Sequence, residues 1–356
     1  MVSIGRGHLP PWGDGFPGGE VMLMGDDREM AWFCAYTPLE ILEAAGWKPV
    51  RSTGDPASLE AADAVLHPAM CPYIRACLAQ AAGKGGPHHA FFVNSCDGMR
   101  RLHDAWKDIF PGSFVYLMDL PRRTDERGRR FLAREYARLL EALASLRGGE
   151  VTAGELERAC AAGEERRLSY LQAAEGLAGA RRLRLAQAFQ SRCEAETPRG
   201  RQAVGSDGGV PVVLTGNLLN PEGLVEVLDR AGARAVWLDL CNGDRAFSSS
   251  TRAEGGDLEG LLLSLAGRYL ERHPCARMSD GGRRYDMLLE RVRSTNARGV
   301  IYASLKFCDS YLYDFPRLQE KLRREGIPCL RLESDYADGH AGQLLTRVEA
   351  FLEMIS

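Results

Sequence analysis

The chain has 356 residues, 45% of them hydrophobic, and a formal net charge of −3. That length suits two or three domains, and the charge gives no general pull toward nucleic acid or an anionic membrane. No apolar run approaches the roughly 20 residues of a membrane helix, and the N-terminus lacks the apolar stretch of a signal peptide, so a cytoplasmic protein is expected.

In chain order, the first motif is a GxGxxG match at Gly13, Gly15 and Gly18. It follows no strand, opens no helix and contains Pro17, so no dinucleotide site is read there. No Walker A sequence is present either. "AWFCAYTPLEILEAAGWKPV" reads as strand, helix, strand, with Thr37 as N-cap, Pro38 at the first helical position and Glu40 completing a capping box. Gly46 would end that helix. The runs "AVLHP", "HAFFVNSC" and "SFVYLMDLP" read as further strands, with helices between them. Residues 122–207 change character: rich in Arg, Glu, Ala and Leu, they predict two or three long helices. The arginines of "RRTDERGRR" read as a solvated helix face.

The "GSDGG" run, Gly205 to Gly209, marks a linker. Beyond it "VPVVLTG" is a strand, "NPEGLVEVLDRAG" a helix capped by Asn220, and "ARAVWLDLC" a strand. A helical section covers roughly 257–273. Then come the strand "GVIYASLKFC", the helix "FPRLQEKLRREG", the strand "IPCLRLESD" and a terminal amphipathic helix. The predicted fold is therefore α/β: two Rossmann- or flavodoxin-like parallel-sheet domains, residues 1–121 and 208–356, joined by a helical segment, residues 122–207.

Ten cysteines in a large chain without a signal peptide argue against a disulfide framework. There is no CxxC pair, which excludes a zinc ribbon or a ferredoxin-type run. Cysteines that bind metal here must converge from distant loops. In open parallel sheets, ligands bind beyond the carboxyl ends of strands. Four cysteines lie at such ends or in the loop beyond: Cys71 after "AVLHP", Cys96 after "FFVNS", Cys241 after "VWLDL" and Cys308 after "SLKF". Cys77, Cys160 and Cys193 fall in helices and Cys329 in a strand, where thiols act as small hydrophobes. Cys34 reads as part of a strand that lines the pocket without supplying a ligand. Loop thiolates meeting at a cleft suit iron–sulfur ligation, and three of them would leave one iron of a cube open. The histidines show no HxxxH or HExxH pattern, which disfavours a zinc hydrolase. A nucleophile pair such as Cys96 with His103 stays open as an alternative.

Together, "FCAYTPLEILEAAG", "CPYIRACL", "FVNSCDGMRRLHD", "DLCNGDRAF", "RYLERHPCARM", "GVIYASLKFCDSYLYDFP" and "GIPCLRLESDYADGHAGQLLTRVEAFLEMI" resemble the catalytic component of the 2-hydroxyacyl-CoA dehydratase and benzoyl-CoA reductase superfamily. The resemblance implies a [4Fe–4S] cluster held by Cys71, Cys96 and Cys308. It also implies an acyl-CoA substrate, a second homologous or identical subunit, and a separate ATP-dependent iron–sulfur activator that injects a low-potential electron. In such dehydratases the electron turns the thioester into a ketyl radical anion, from which hydroxide leaves. Cys241 and Cys275 sit in the same motifs and are expected to pack around the ligands. Asp97 and Asp309, beside two of the ligands, are expected to tune potential or proton transfer, or simply to cap helices. Lys306 and Arg245 would hold an anionic CoA or acyl group, and Thr215 and Asn217 would line the cleft. The same motifs also serve homodimeric relatives that carry an [8Fe–9S] double cubane and reduce small molecules. A non-catalytic, cluster-binding subunit is a further alternative.

Overall fold

The computed structural model describes residues 28–83, 87–191, 208–278, 280–336 and 341–356. The GxGxxG match, Cys193 and most of the "GSDGG" run lie outside them. The first half contains β1 (Glu29–Trp32), α1 (Leu39–Ala44), β2 (Lys48–Arg51), α2 (Pro72–Ala82), β3 (Ala90–Asn94), α3 (Asp97–Ile109) and β4 (Val115–Asp119). Three long helices follow: α4 (Glu126–Arg147), α5 (Ala153–Ala173) and α6 (Gly179–Ser191). The second half contains β5 (Val210–Gly216), α7 (Glu226–Arg230), β6 (Ala233–Asp239), α8 (Leu258–Glu271), α9 (Gly281–Ser294), β7 (Gly299–Leu305), α10 (Asp309–Arg324), β8 (Cys329–Ser334) and α11 (Ala341–Ile355).

The strands form two four-stranded parallel sheets, ordered β2-β1-β3-β4 and β6-β5-β7-β8. This is the α/β architecture expected from the sequence. Central strands covered on both faces must be apolar throughout, and every residue of β7 is buried. In each sheet the strand order reverses once, between β1 and β3 and between β5 and β7, and that reversal is where such sheets bind ligands.

The helices between the sheets are shared out between two cores. α4, α5 and α8 pack with α1 against one face of the first sheet, through Leu132, Tyr136, Leu139, Leu261, Leu265 and Tyr269. Ala180 and Leu183 of α6 join the core of the second sheet. Leu218, Leu305 and Tyr336, from loops and strand ends of the second sheet, enter the core formed by β1, β3, α2 and α3. The carboxyl ends of the two sheets therefore abut. Among the described residues no helix is long and apolar enough to cross a membrane.

Three local readings are corrected, and one helix carries no reading from the sequence. "AVLHP" is a turn after a 3-10 segment (Pro56–Ala62), because Val65 faces solvent and no partner strand is present among the described residues. Thr37 and Glu40 form no capping box. Pro38 flanks α1 without a side-chain cap, and buried Glu40 instead accepts a 2.6 Å hydrogen bond from Tyr269 Oη on α8. α10 begins at Asp309, immediately after Cys308, and carries Pro316 inside it. α9 has a helical apolar stripe that is interleaved with arginines and was not anticipated.

Candidate functional site

Three helices start at a cysteine. Cys71 is the N-cap of α2, Cys96 of α3 and Cys308 of α10. An N-cap oxygen from Ser, Thr, Asp or Asn normally serves there, and a residue that caps poorly gives up on the order of 1 kcal/mol. Sulfur at three such positions therefore points to chemistry rather than to helix stability. Cys96 follows β3 across Ser95, and its Sγ accepts the Met99 N–H at 3.4 Å. Cys308 follows β7 across Lys306 and Phe307. Phe307 adopts φ +60°, a left-handed conformation disfavoured for a bulky residue. That turn swings the chain from strand to helix and leaves the Phe307 ring half exposed. Cys71 arrives through the crossover from β2 to β3, with Pro72 at the first helical position.

All three thiols line one cleft of about 1250 Å³, shared with Asp97, Arg101, Arg122, Arg277, Lys306 and Asp309. Burial pushes the Cys71 thiol up, helped by the nearness of Cys308 and Cys96, while the N–H groups of Tyr73 and Ile74 pull it back. Burial also raises Cys308, to about 11, against the Asn217 side chain and the Tyr311 N–H. Cys96 is the most open of the three. Desolvation in the cleft still raises it, opposed by the N–H of Met99 and by Ser95 and Gly98. As free thiols all three are protonated at neutral pH, and any metal they took would have to displace those protons.

Among the described residues no three His, Cys, Asp or Glu side chains gather as ligands of one metal ion. A cube differs from a single ion in that each thiolate takes a different iron, so its ligands stand around a cage rather than at one point. A soft, all-sulfur donor set at three helix N-termini, one of which already turns the Met99 N–H onto the Cys96 sulfur, has the chemistry such a cage needs. Three thiols on one cleft supply the donor type that an iron–sulfur cluster takes.

The other expected residues fall into two groups. Lys306 lines the cleft, and its Nζ lies 3.6 Å from Asp335. Asp97 and Asp309 also line it and are exposed, in the first turns of α3 and α10, and Asp97 is 3.7 Å from Arg101. Arg245 and Thr215 instead stand behind the wall, buried. Every nitrogen of Arg245 is engaged: Nε with Asp239 Oδ1 at 2.8 Å, Nη1 with Tyr311 Oη and Cys241 Sγ, Nη2 with the carbonyls of Gly216 and Asp239. Arg245 thus has no donor left for a substrate. Thr215 Oγ1 donates to Asp239 Oδ2 at 2.7 Å. Asn217 is buried beside Cys308, and its carbonyl accepts the Cys241 N–H.

Cys241 and Cys275 lie on the inner side of the wall, where burial raises the Cys275 thiol, together with the nearby Cys241. Cys34 joins them. It lies just past the end of β1, in the loop at the first sheet's strand-order reversal, and burial, Cys241 and Cys275 together raise its thiol. No disulfide joins the described cysteines. His103 meets Phe92 and Asp104 rather than pairing with Cys96.

A network not anticipated from the sequence fixes α10, and with it Cys308. Asp239, at the end of β6, bridges Arg245 and Arg284, the latter through Nη1 at 2.9 Å. Arg284, on α9, also reaches Asp314 of α10 at 3.2 Å. Tyr302 Oη donates to Asp314, and Tyr285 Oη does so from α9. Burial alone would raise the Asp239 carboxyl, but Arg245, His273 and Arg284 hold it well below the usual carboxylate range. His273 Nδ1 stands 3.4 Å from Oδ1 without a well-formed hydrogen bond.

Comparison with known proteins bears on this cleft. Residues 34–355 match the family model described as 2-hydroxyglutaryl-CoA dehydratase, D-component. The chain is 27% identical over 355 residues to the putative dehydratase subunit YjiM of Escherichia coli K12, covering 91% of this chain and 90% of the relative. It is 23% identical over 342 residues to the (R)-phenyllactyl-CoA dehydratase beta subunit of Clostridium sporogenes, covering 90% of each. It is 25% identical over 348 residues to a subunit of the benzoyl-CoA reductase of Thauera aromatica, covering 89% of this chain and 87% of that one.

Proposed function

The chain belongs to the 2-hydroxyglutaryl-CoA dehydratase D-component family, and we propose that it is the iron–sulfur component of an electron-activated enzyme acting on an acyl-CoA. The observation that carries the proposal is the meeting of Cys71, Cys96 and Cys308, three helix N-caps from three separate segments, in one cleft. Those thiols would hold a [4Fe–4S] cluster, which when bound supplies one-electron transfer and an open iron acting as a Lewis acid.

The remaining work falls to the protein. N–H groups at the starts of α2, α3 and α10 disperse the charge of the sulfurs and set the potential through hydrogen bonding. Arg101, Arg122, Arg277, Lys306 and Arg317 give the cleft its cations, suited to the phosphates or carboxylate of a CoA ester. Phe307 and Tyr313, both exposed, offer apolar surface for the acyl chain beside Cys308. Asp309, one residue from Cys308, stands where a carboxylate can accept a proton from bound substrate. A second subunit, of the kind that the names of its relatives mention, would close the open side of the cleft. The electron would come from a separate ATP-hydrolysing activator.

The test is anaerobic reconstitution. Iron and acid-labile sulfide should each reach about four per chain. The loaded protein, given its second subunit, activator and ATP, should then eliminate water from a 2-hydroxyacyl-CoA or reduce an aromatic acyl-CoA. Loading without turnover on any acyl-CoA would leave the cluster reading standing and sink the substrate reading.

A further inference from the structure

Behind the first sheet lies a small cavity of about 50 Å³, separate from the cleft. Its walls come from β1 and the loop after it, from α1, α5 and α6, and from the segments around Phe247 and Arg272. The first sheet, the connecting helices and the segments that follow β6 and α8 thus meet around it. Three buried donors in its walls have no protein partner among the described residues: Trp32 Nε1, Gln190 Nε2 and Arg272 Nε. A fourth, Arg51 Nε, lies directly alongside: its guanidinium sits 4.5 Å from the centre of the Trp32 ring and donates to Gln190 Oε1. That bond fixes the amide so that Nε2 is the end left over. All four residues are more than nine-tenths buried.

Buried donors without acceptors are costly, and a polar void of this size exceeds the roughly 10–15 Å³ that one water needs. The charges decide what fills it. Arg166 is paired with Glu43 and Arg167 with Glu164. Arg51 and Arg272 have no carboxylate partner among the described residues: Arg51 bonds Gln190 and the carbonyls of Cys241 and Phe33, and Arg272 the carbonyl of Ala35. One buried carboxylate with no ion pair among the described residues, Glu40, shares the cavity wall with Arg272, and Arg51 beside the cavity adds a second guanidinium. Water would satisfy the hydrogen bonds but leave the excess positive charge, whereas an anion satisfies both.

We propose that this cavity is a binding site for one small monovalent anion, a halide or a compact oxyanion such as formate. The anion ties β1, α6 and the segment before α9 into one unit. It acts at the junction that sets the second sheet, and hence Cys308, against the first. The site is too small for any acyl-CoA and is independent of the cleft chemistry.

The probe is sodium bromide or sodium formate, titrated into the purified full-length protein against sodium gluconate at constant ionic strength. The proposal predicts a saturable rise in Tm of about 3 °C. Trp32→Phe removes one donor and keeps a ring under Arg51. It should weaken the apparent affinity about tenfold without changing the Tm in gluconate by more than the rise itself. Crystals grown in bromide should show an anomalous peak between Trp32, Gln190 and Arg272. A linear, non-saturating salt response, an unchanged titration in the Trp32→Phe variant, or water alone in the cavity would each overturn the proposal.

Discussion

Replacing Asp239 by Asn tests how the candidate site is held. Asp239 has no exposed surface. Its carboxylate accepts from Arg245 Nε at 2.8 Å, Arg284 Nη1 at 2.9 Å and Thr215 Oγ1 at 2.7 Å. Asparagine keeps the shape and one acceptor but removes the negative charge between two buried guanidiniums. Arg284 retains Asp314, whereas Arg245 is left with neutral partners only. Removing one member of a buried ion pair costs about 3–5 kcal/mol, because the survivor stays buried and uncompensated. With a urea m-value of about 3 kcal/mol/M, the unfolding midpoint should fall by at least about 1 M. The pH dependence carries a sign of its own. The folded-state carboxyl lies well below its ordinary value, so its contribution is present above about pH 4 and is lost as pH falls through the folded value. The variant should therefore lose less stability than the parent below pH 4. Urea denaturation at pH 7 and across the acid range measures both effects. A midpoint within about 0.3 M of the parent at pH 7 would refute the reasoning.

Three further outcomes follow from the geometry. Cys96→Ser should keep the metal-free protein within about 1 kcal/mol of the parent, since serine caps a helix well, yet it should lose most of the bound iron; thermal melts and iron analysis on the same sample separate the two. Phe307→Gly should raise stability by about 0.5–1 kcal/mol by relieving the +60° φ, while lowering affinity for an acyl-CoA, and unchanged binding in a titration would remove Phe307 from the substrate site. Gly216→Ala should be severely destabilising, because a Cβ there would stand 1.9 Å from the Ala303 carbonyl oxygen on the neighbouring strand β7, and normal yields of soluble, folded variant would contradict that packing.

The parallel sheets were legible because buried strands such as "GVIYASL" and "AFFVN" are continuous apolar runs bounded by polar loops. The positions of Cys96 and Cys308 followed from the same pattern. Cys71 was singled out through a strand that does not exist; what places it is a helix start, signalled by Pro72. Cys34 reads as strand because the apolar run continues through Phe33, although β1 ends at Trp32. The rule that ligands gather where strand order reverses would have selected it, had the order been known. Nothing in the local pattern marks Arg284, Asp314 or Asp244 as interior. Each is an ordinary charged residue on or beside a helix, and only pairing across distant sequence, such as Arg182 with Asp244 at 2.9 Å, makes them interior. Glu40 shows the reverse case, a sound local motif overridden by a tertiary hydroxyl.

Whether Cys71, Cys96 and Cys308 hold one cluster together can be read by Mössbauer spectroscopy of anaerobically loaded, iron-57-labelled protein. The account predicts a cubane spectrum with one iron site distinguishable from the other three, lost when any one of the three thiols is replaced by serine. A spectrum of isolated iron, or a cubane that survives the Cys308→Ser change, would contradict it.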